Sequence, residues 1–310
     1  MVRKHLNGFV APWTSDLSYT HGCHWTTDAS YRYCMKIVRD SDPNLSLWMH
    51  LIPKKQAKAL AAVYAVARIA DDLTDENQFG SMRRDALSAW LDTFERACME
   101  DANHPAMVAL ADSMKHFNMD AGLVRKYLLS CMDESNPIRF DTWEHVENFA
   151  RDSFGSLGKI VMCVMGLDRT ELQYWAERMS IAVFITCRLR DLSVDLPKGR
   201  VFLPLEHLER YGMKVQDLLT IPPAKPFGAV LESAVEHTRW IYREAYPLVM
   251  EAGGYATALL AGLWLGGRSL LRLVDRTGTG LYQTRPALSV FVFVRTMMGA
   301  GLERIPEVLT

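Results

Sequence analysis

The chain has 310 residues, 49% of them hydrophobic, which is enough to bury a large core of an ordinary globular protein. A formal charge of −1 with interspersed signs gives no electrostatic case for nucleic acid. Six scattered cysteines without a C-x-x-C argue against a disulfide framework or a zinc site and fit a reducing cytoplasm, the expected location.

No apolar signal core follows Met1-Val2-Arg3-Lys4, and residues 1–30 read as an N-terminal extension to a domain at 31–310. Within that extension His21-Gly22-Cys23-His24 looks like a metal-binding fragment but lacks partners at ligand spacing. From there on helical periodicity recurs, whereas alternating runs of strand length are nearly absent. Helices are expected at Tyr31–Arg39, Asn44–Ile52, Lys54–Asp75, Ser81–Glu100, Pro105–Phe117 and Ala121–Met132. Further ones are expected at Trp143–Gly166, Arg169–Val194, Leu205–Tyr211, Phe227–Glu251, Tyr255–Thr277 and Leu288–Leu302. Breaks fall at Pro53, Asn77–Gly80, Asn103-His104-Pro105, Ser135-Asn136-Pro137, Pro197-Lys198-Gly199 and Ile221–Pro226. The pattern predicts an all-α, single-domain helical bundle around a central cavity. The most apolar stretch, Gly253–Gly267, is too short to span a bilayer. It reads as a buried helix, with peripheral membrane contact as the second reading.

Two aspartate clusters stand out. Arg68-Ile69-Ala70-Asp71-Asp72-Leu73-Thr74-Asp75-Glu76 closes one expected helix, and Arg190-Asp191-Leu192-Ser193-Val194-Asp195 closes another. In each the outer aspartates are four residues apart, which puts both carboxylates on one helix face. A solvated acidic face is the plain alternative. Against it, both clusters follow largely apolar runs and lie at helix C-termini, where carboxylates oppose the macrodipole. Hard oxygen ligands in such pairs suit Mg²⁺, which binds through one or two carboxylates plus substrate phosphates. A diphosphate substrate follows from that chemistry.

These segments resemble the squalene/phytoene synthase family from about Asn44 to Pro286. Leu51-Ile52-Pro53 is similar to its L-L-P helix end, and Tyr64–Glu76 to its first aspartate motif. Gly155-Ser156-Leu157-Gly158 is similar to its helix kink, and Leu189–Asp195 with Lys198–Pro204 to its second motif and the segment that follows. Arg285-Pro286 matches a late R-P. The resemblance implies the all-α isoprenoid synthase fold. It also implies that Asp71, Asp75, Asp191 and Asp195 hold Mg²⁺ with Asp72 supporting, while an allylic isoprenyl diphosphate is ionised. Arg68, Arg200 and Arg285 become candidate diphosphate clamps, because guanidinium matches phosphate oxygens bidentately. A salt bridge to a neighbouring aspartate is the alternative role for each.

The chain also departs from the family pattern. Cys187 stands where a metal-binding asparagine is usual, and thiols are soft ligands for Mg²⁺. Phe184 replaces a glutamine, Phe149 and Phe202 replace tyrosines, and Asn44-Leu45 replaces a serine-phenylalanine pair. The three phenylalanines suggest a cavity rebuilt for a flat aromatic acceptor, and the resemblance to those family members that prenylate carbazole-type heterocycles implies an acceptor of that type, in secondary metabolism. One alternative is a head-to-head synthase of squalene, hydroxysqualene or phytoene, in hopanoid or carotenoid biosynthesis. Another is a catalytically silent lipid-binding or assembly protein.

Overall fold

Alanine-rich segments, capping side chains and well-placed prolines set most helix boundaries in this computed structural model, which describes residues 25–75, 82–220 and 226–288. Thirteen α-helices are present among them. Thr26 caps α1 (Thr27–Ser41) by accepting the Ala29 N–H, so the helix begins four residues before the expected Tyr31. Asp42 caps α2 (Pro43–Met49) at Leu45 N, with Pro43 in the first turn where its missing N–H costs nothing. Then come α3 (Lys54–Asp75), α4 (Arg83–Cys98), α5 (Pro105–Phe117) and α6 (Ala121–Glu134). The expected break at Asn77–Gly80, the His21–His24 fragment, most of the N-terminal extension and nearly all of the Leu288–Leu302 helix lie outside the described residues.

Among the described residues the helices fall into two compact units, residues 25–135 with Lys159–Asp168, and Asn136–Gly158 with residues 169–288. In the first, α3 is the buried centre: alanines at 57, 59, 61, 62, 65, 67 and 70 let α1, α4, α5 and α6 pack closely around it. Trp90 of α4 donates to Val66 O at 3.3 Å and Tyr127 of α6 donates to Ala67 O at 3.3 Å, tying both helices to α3. His104 caps α5 from a buried position, its Nδ1 accepting the Ala106 N–H at 3.2 Å.

That cap is pH-sensitive. Burial lowers the His104 pKa from 6.5 to about 4. The unfolded chain therefore binds the proton more readily, and stability is fully present above pH 6.5 and lost as pH falls toward 4. Urea unfolding at about pH 4.5 should show wild type less stable than at neutrality by roughly 2–3 kcal/mol more than His104→Asn, whose amide can still cap. Equal pH dependence in the two proteins would remove this role from His104.

In the second unit a two-residue parallel ladder pairs β1 (Ile138–Arg139) with β2 (Arg200–Val201), too short to leave a period in the sequence. Helices α7 (Trp143–Asp152) and α8 (Phe154–Met165, which belongs to the first unit from Lys159 on) replace the single helix expected at Trp143–Gly166, because the backbone breaks at Ser153 (φ −86°, ψ −94°). Gly158 is needed for packing: a Cβ there would run into Ser180 Oγ of α9. The helix expected at Arg169–Val194 is likewise two, α9 (Thr170–Arg190) and α10 (Leu192–Asp195), with Asp191 as the joint. Beyond α11 (Leu205–Arg210), α12 (Phe227–Glu251) and α13 (Gly254–Thr277) pack on α9, and Trp264 of α13 donates to Tyr242 O at 2.8 Å. The apolar stretch at Gly253–Gly267 belongs to a longer segment than expected. Gly254–Tyr282 is long and apolar enough to cross a membrane, and only 39% of its apolar window is buried.

Candidate active site

In the first unit, α3 delivers its aspartates through its last turn. Ile69, Ala70, Leu73 and Thr74 are buried, which leaves Asp71 and Asp75 partly exposed on one face. Asp72 points elsewhere. Its side chain is 5% exposed and is gripped by Arg68, through Nε at 3.1 Å and through Nη2, while Arg68 Nη1 lies 3.5 Å from Asp71. Burial works against the Arg68 charge, but Asp71 and Asp72 outweigh it and raise its pKa. Tyr64, one turn earlier, is within electrostatic reach of Asp42, Arg68, Asp71 and Asp72, and burial pushes its phenol pKa up. Asn44 lies in the first turn of α2, two residues after Asp42, with its amide oxygen buried.

The second unit gathers Phe149, Phe184, Cys187, Asp191, Asp195, Arg200, Phe202 and Arg285. Although a helix break falls at Asp191, Asp195 N–H still bonds Asp191 O at 2.9 Å, so the one-turn spacing survives. Arg190 chelates the Asp191 carboxylate through Nε (2.6 Å) and Nη2 (2.7 Å), and Arg285 does the same through Nε and Nη2 (2.7 Å). Burial would raise the Asp191 pKa, yet the two guanidiniums prevail and hold it below its ordinary value. Asp195 has Arg200 Nη1 3.4 Å from Oδ1 and Arg188 Nη1 3.8 Å from Oδ2. Arg200 is set by the β1–β2 pairing and by Gly199, whose φ of 74° makes the preceding turn. Cys187 lies one turn before Asp191 with its thiol pKa pushed up, chiefly by burial. All three candidate clamps, Arg68, Arg200 and Arg285, thus make the carboxylate ion pairs that were their alternative role. Arg188, Arg190 and Tyr64 were not among the expected site residues; Arg190 flanks the motif and could have been included on its position alone.

A cavity in this unit is lined by Val146, Ile185, Leu189, Leu192 and Leu203 with Arg188, Asp195, Arg200 and Phe202. Beside it the phenylalanines pack on one another: Phe184 lies 5.9 Å from Phe149, 5.5 Å from Phe202 and 5.4 Å from Phe154, centroid to centroid. Phe140 stacks on Phe202 at 5.7 Å.

Among the described residues no three His, Cys, Asp or Glu converge as a metal cluster. Magnesium needs fewer: one or two carboxylates suffice when substrate phosphates and water complete the shell. Asp71 and Asp75 fit that requirement in donor chemistry and in exposure.

An all-α chain with an acidic pair closing each of two apolar helices has the architecture of an isoprenoid synthase. The squalene/phytoene synthase family profile matches residues 38–291, and the chain belongs to that family. It is 27% identical over 191 residues to the phytoene synthase of Mycobacterium tuberculosis, a match covering 61% of this chain and 62% of that protein. Its fold is similar to that of a dehydrosqualene synthase (TM-score 0.79, 21% identity, 89% of this chain and 96% of the other). The squalene synthase HpnC of Alicyclobacillus acidocaldarius is also similar (TM-score 0.73, 23% identity, 81% and 95%).

These relatives overturn the expected aromatic acceptor, since they are named for phytoene, dehydrosqualene and squalene synthesis. The structure supplies a physical reason. Phe184 is fully buried, and the Phe184 and Phe202 rings are engaged by other phenylalanines and by the Arg188 guanidinium, 4.8 and 4.7 Å from their centroids. The rings do come together as expected, but they stack on protein groups.

Proposed function

We propose that this chain is a Mg²⁺-dependent head-to-head synthase joining two allylic isoprenyl diphosphates with release of diphosphate. The observation that carries this reading is the last turn of α3: two partly exposed carboxylates, Asp71 and Asp75, on one face, backed by the pairing of Arg68 with the buried Asp72. The names of the relatives support the coupling chemistry.

Asp71 and Asp75 would hold magnesium, which when bound supplies positive charge to a departing diphosphate. Arg68 positions the turn by fixing Asp72. On the second motif, Arg190 and Arg285 hold Asp191 through forked contacts of the kind that phosphate oxygens also accept, so an incoming diphosphate would compete with that carboxylate for both guanidiniums. Arg200, buried and oriented by β2, adds a further fixed positive charge. Apolar side chains such as Leu189, Leu192 and Phe202 border Asp195 and Arg200 and keep water from that ion pair. Asn44 and Cys187 are proposed as contacts to the isoprenyl substrates, and residues 31–310 as the catalytic domain.

Purified protein incubated with Mg²⁺ and farnesyl or geranylgeranyl diphosphate should yield a coupled hydrocarbon or cyclopropyl diphosphate product, detected by mass spectrometry. Formation of the prenyl alcohol alone would overturn head-to-head coupling while retaining ionisation.

A further inference from the structure

We propose that Arg188 is a built-in counter-cation for Asp195, and that this carboxylate is therefore not a divalent-metal ligand in this chain. The inference rests on the reading that the first aspartate pair carries magnesium.

The guanidinium of Arg188 is held between two rings, 4.8 Å from the Phe184 centroid and 4.7 Å from that of Phe202. Those rings meet edge to face at 79°, so together they form two walls of a slot. A guanidinium is planar, weakly hydrated and charged at every working pH, and it suits such a slot where an ammonium would not. Phe184 lies one helical turn before Arg188 on α9, and Phe202 follows β2, so sequence-distant elements build the slot.

From it Arg188 Nη1 reaches to 3.8 Å from Asp195 Oδ2, while Arg200 Nη1 lies 3.4 Å from Oδ1. Each carboxylate oxygen thus faces a guanidinium, Oδ1 within hydrogen-bond distance of Arg200 and the buried Oδ2 within ion-pair but not hydrogen-bond distance of Arg188. The side chains are 12% (Arg188), 4% (Asp195) and 2% (Arg200) exposed, and the surrounding wall is Val146, Ile185, Leu189 and Leu192. Magnesium binds at about 2.0–2.1 Å, in octahedral geometry, and keeps several waters. The room for such an ion is at Asp71, whose side chain is 47% exposed.

The test is Mn²⁺ titration of the full chain, read by electron paramagnetic resonance, with and without inorganic pyrophosphate. Asp195→Asn should bind Mn²⁺ with the wild-type stoichiometry and affinity, whereas Asp71→Asn should bind at least about tenfold more weakly. Arg188→Met, which empties the slot of charge, should gain Mn²⁺ binding, and Arg188→Lys should gain less because it keeps the charge. A tenfold or greater weakening in Asp195→Asn, or no gain in Arg188→Met, would overturn the inference; if Asp195→Asn fails to fold, the Arg188 variants decide it. Wild-type protein that binds no Mn²⁺ under either condition would overturn the metal reading of the first pair as well.

Discussion

Asp71→Asn is expected to lower turnover about a thousandfold and to leave stability within about 0.5 kcal/mol of wild type. The two halves of that expectation have separate physical origins. Asp71 is half-exposed at the end of α3, where removing a negative charge relieves repulsion from Asp75 and from the helix C-terminus. Its amide is a far weaker partner for a divalent ion, so the loss falls on the charge-stabilising step. Asp72→Asn should behave in the opposite sense. It strips the half-buried Arg68 of its forked partner and should cost roughly 1.5–3 kcal/mol. Product formation by mass spectrometry and urea unfolding, run on both variants, separate the roles. Near-normal turnover in Asp71→Asn would remove it from the metal site.

Phe184→Ala should destabilise the chain by about 3–5 kcal/mol, the range for emptying a buried aromatic site. Phe184 is fully buried and touches Phe149, Phe154, Phe202 and the Arg188 guanidinium. Its removal leaves a cavity and one open side of the slot that holds Arg188. Phe184→Leu, which refills most of the volume, should lose less than about 2 kcal/mol. Denaturant unfolding measures both. A loss below about 1 kcal/mol for the alanine variant would show that Phe184 borders open space, as a ring waiting for a ligand would.

The expected and observed helices agree best where local signals are strong and unopposed. Lys54–Asp75, Pro105–Phe117 and Phe227–Glu251 coincide with α3, α5 and α12. Pro53 and Pro105 mark starts, and apolar periodicity runs unbroken between the limits. Agreement fails at Ser153 and Asp191, where residues that local propensity would allow in a helix adopt non-helical backbone. No proline or glycine occupies either break itself; Gly155, two residues after Ser153, belongs to the kink-like segment noted in the sequence, whereas nothing local announces the break at Asp191. The β1–β2 ladder escaped for a related reason: two residues make no period, and the pairing joins positions 62 residues apart (Ile138 to Arg200).

The aspartate pairs, the helical class and the family were written in the sequence, because they rest on short-range spacing and on motif order along the chain. What each charged group does was not. Asp71 and Asp72 are neighbours, yet one faces outward and the other is locked to Arg68, a difference set by which side of α3 is covered. Phe149, Phe184 and Phe202 looked like the walls of an acceptor site until packing brought Phe140, Phe154 and Arg188 against them. Composition shows that aromatic and cationic side chains are present; only tertiary packing decides whether a ring face is met by a ligand or by the protein's own arginine.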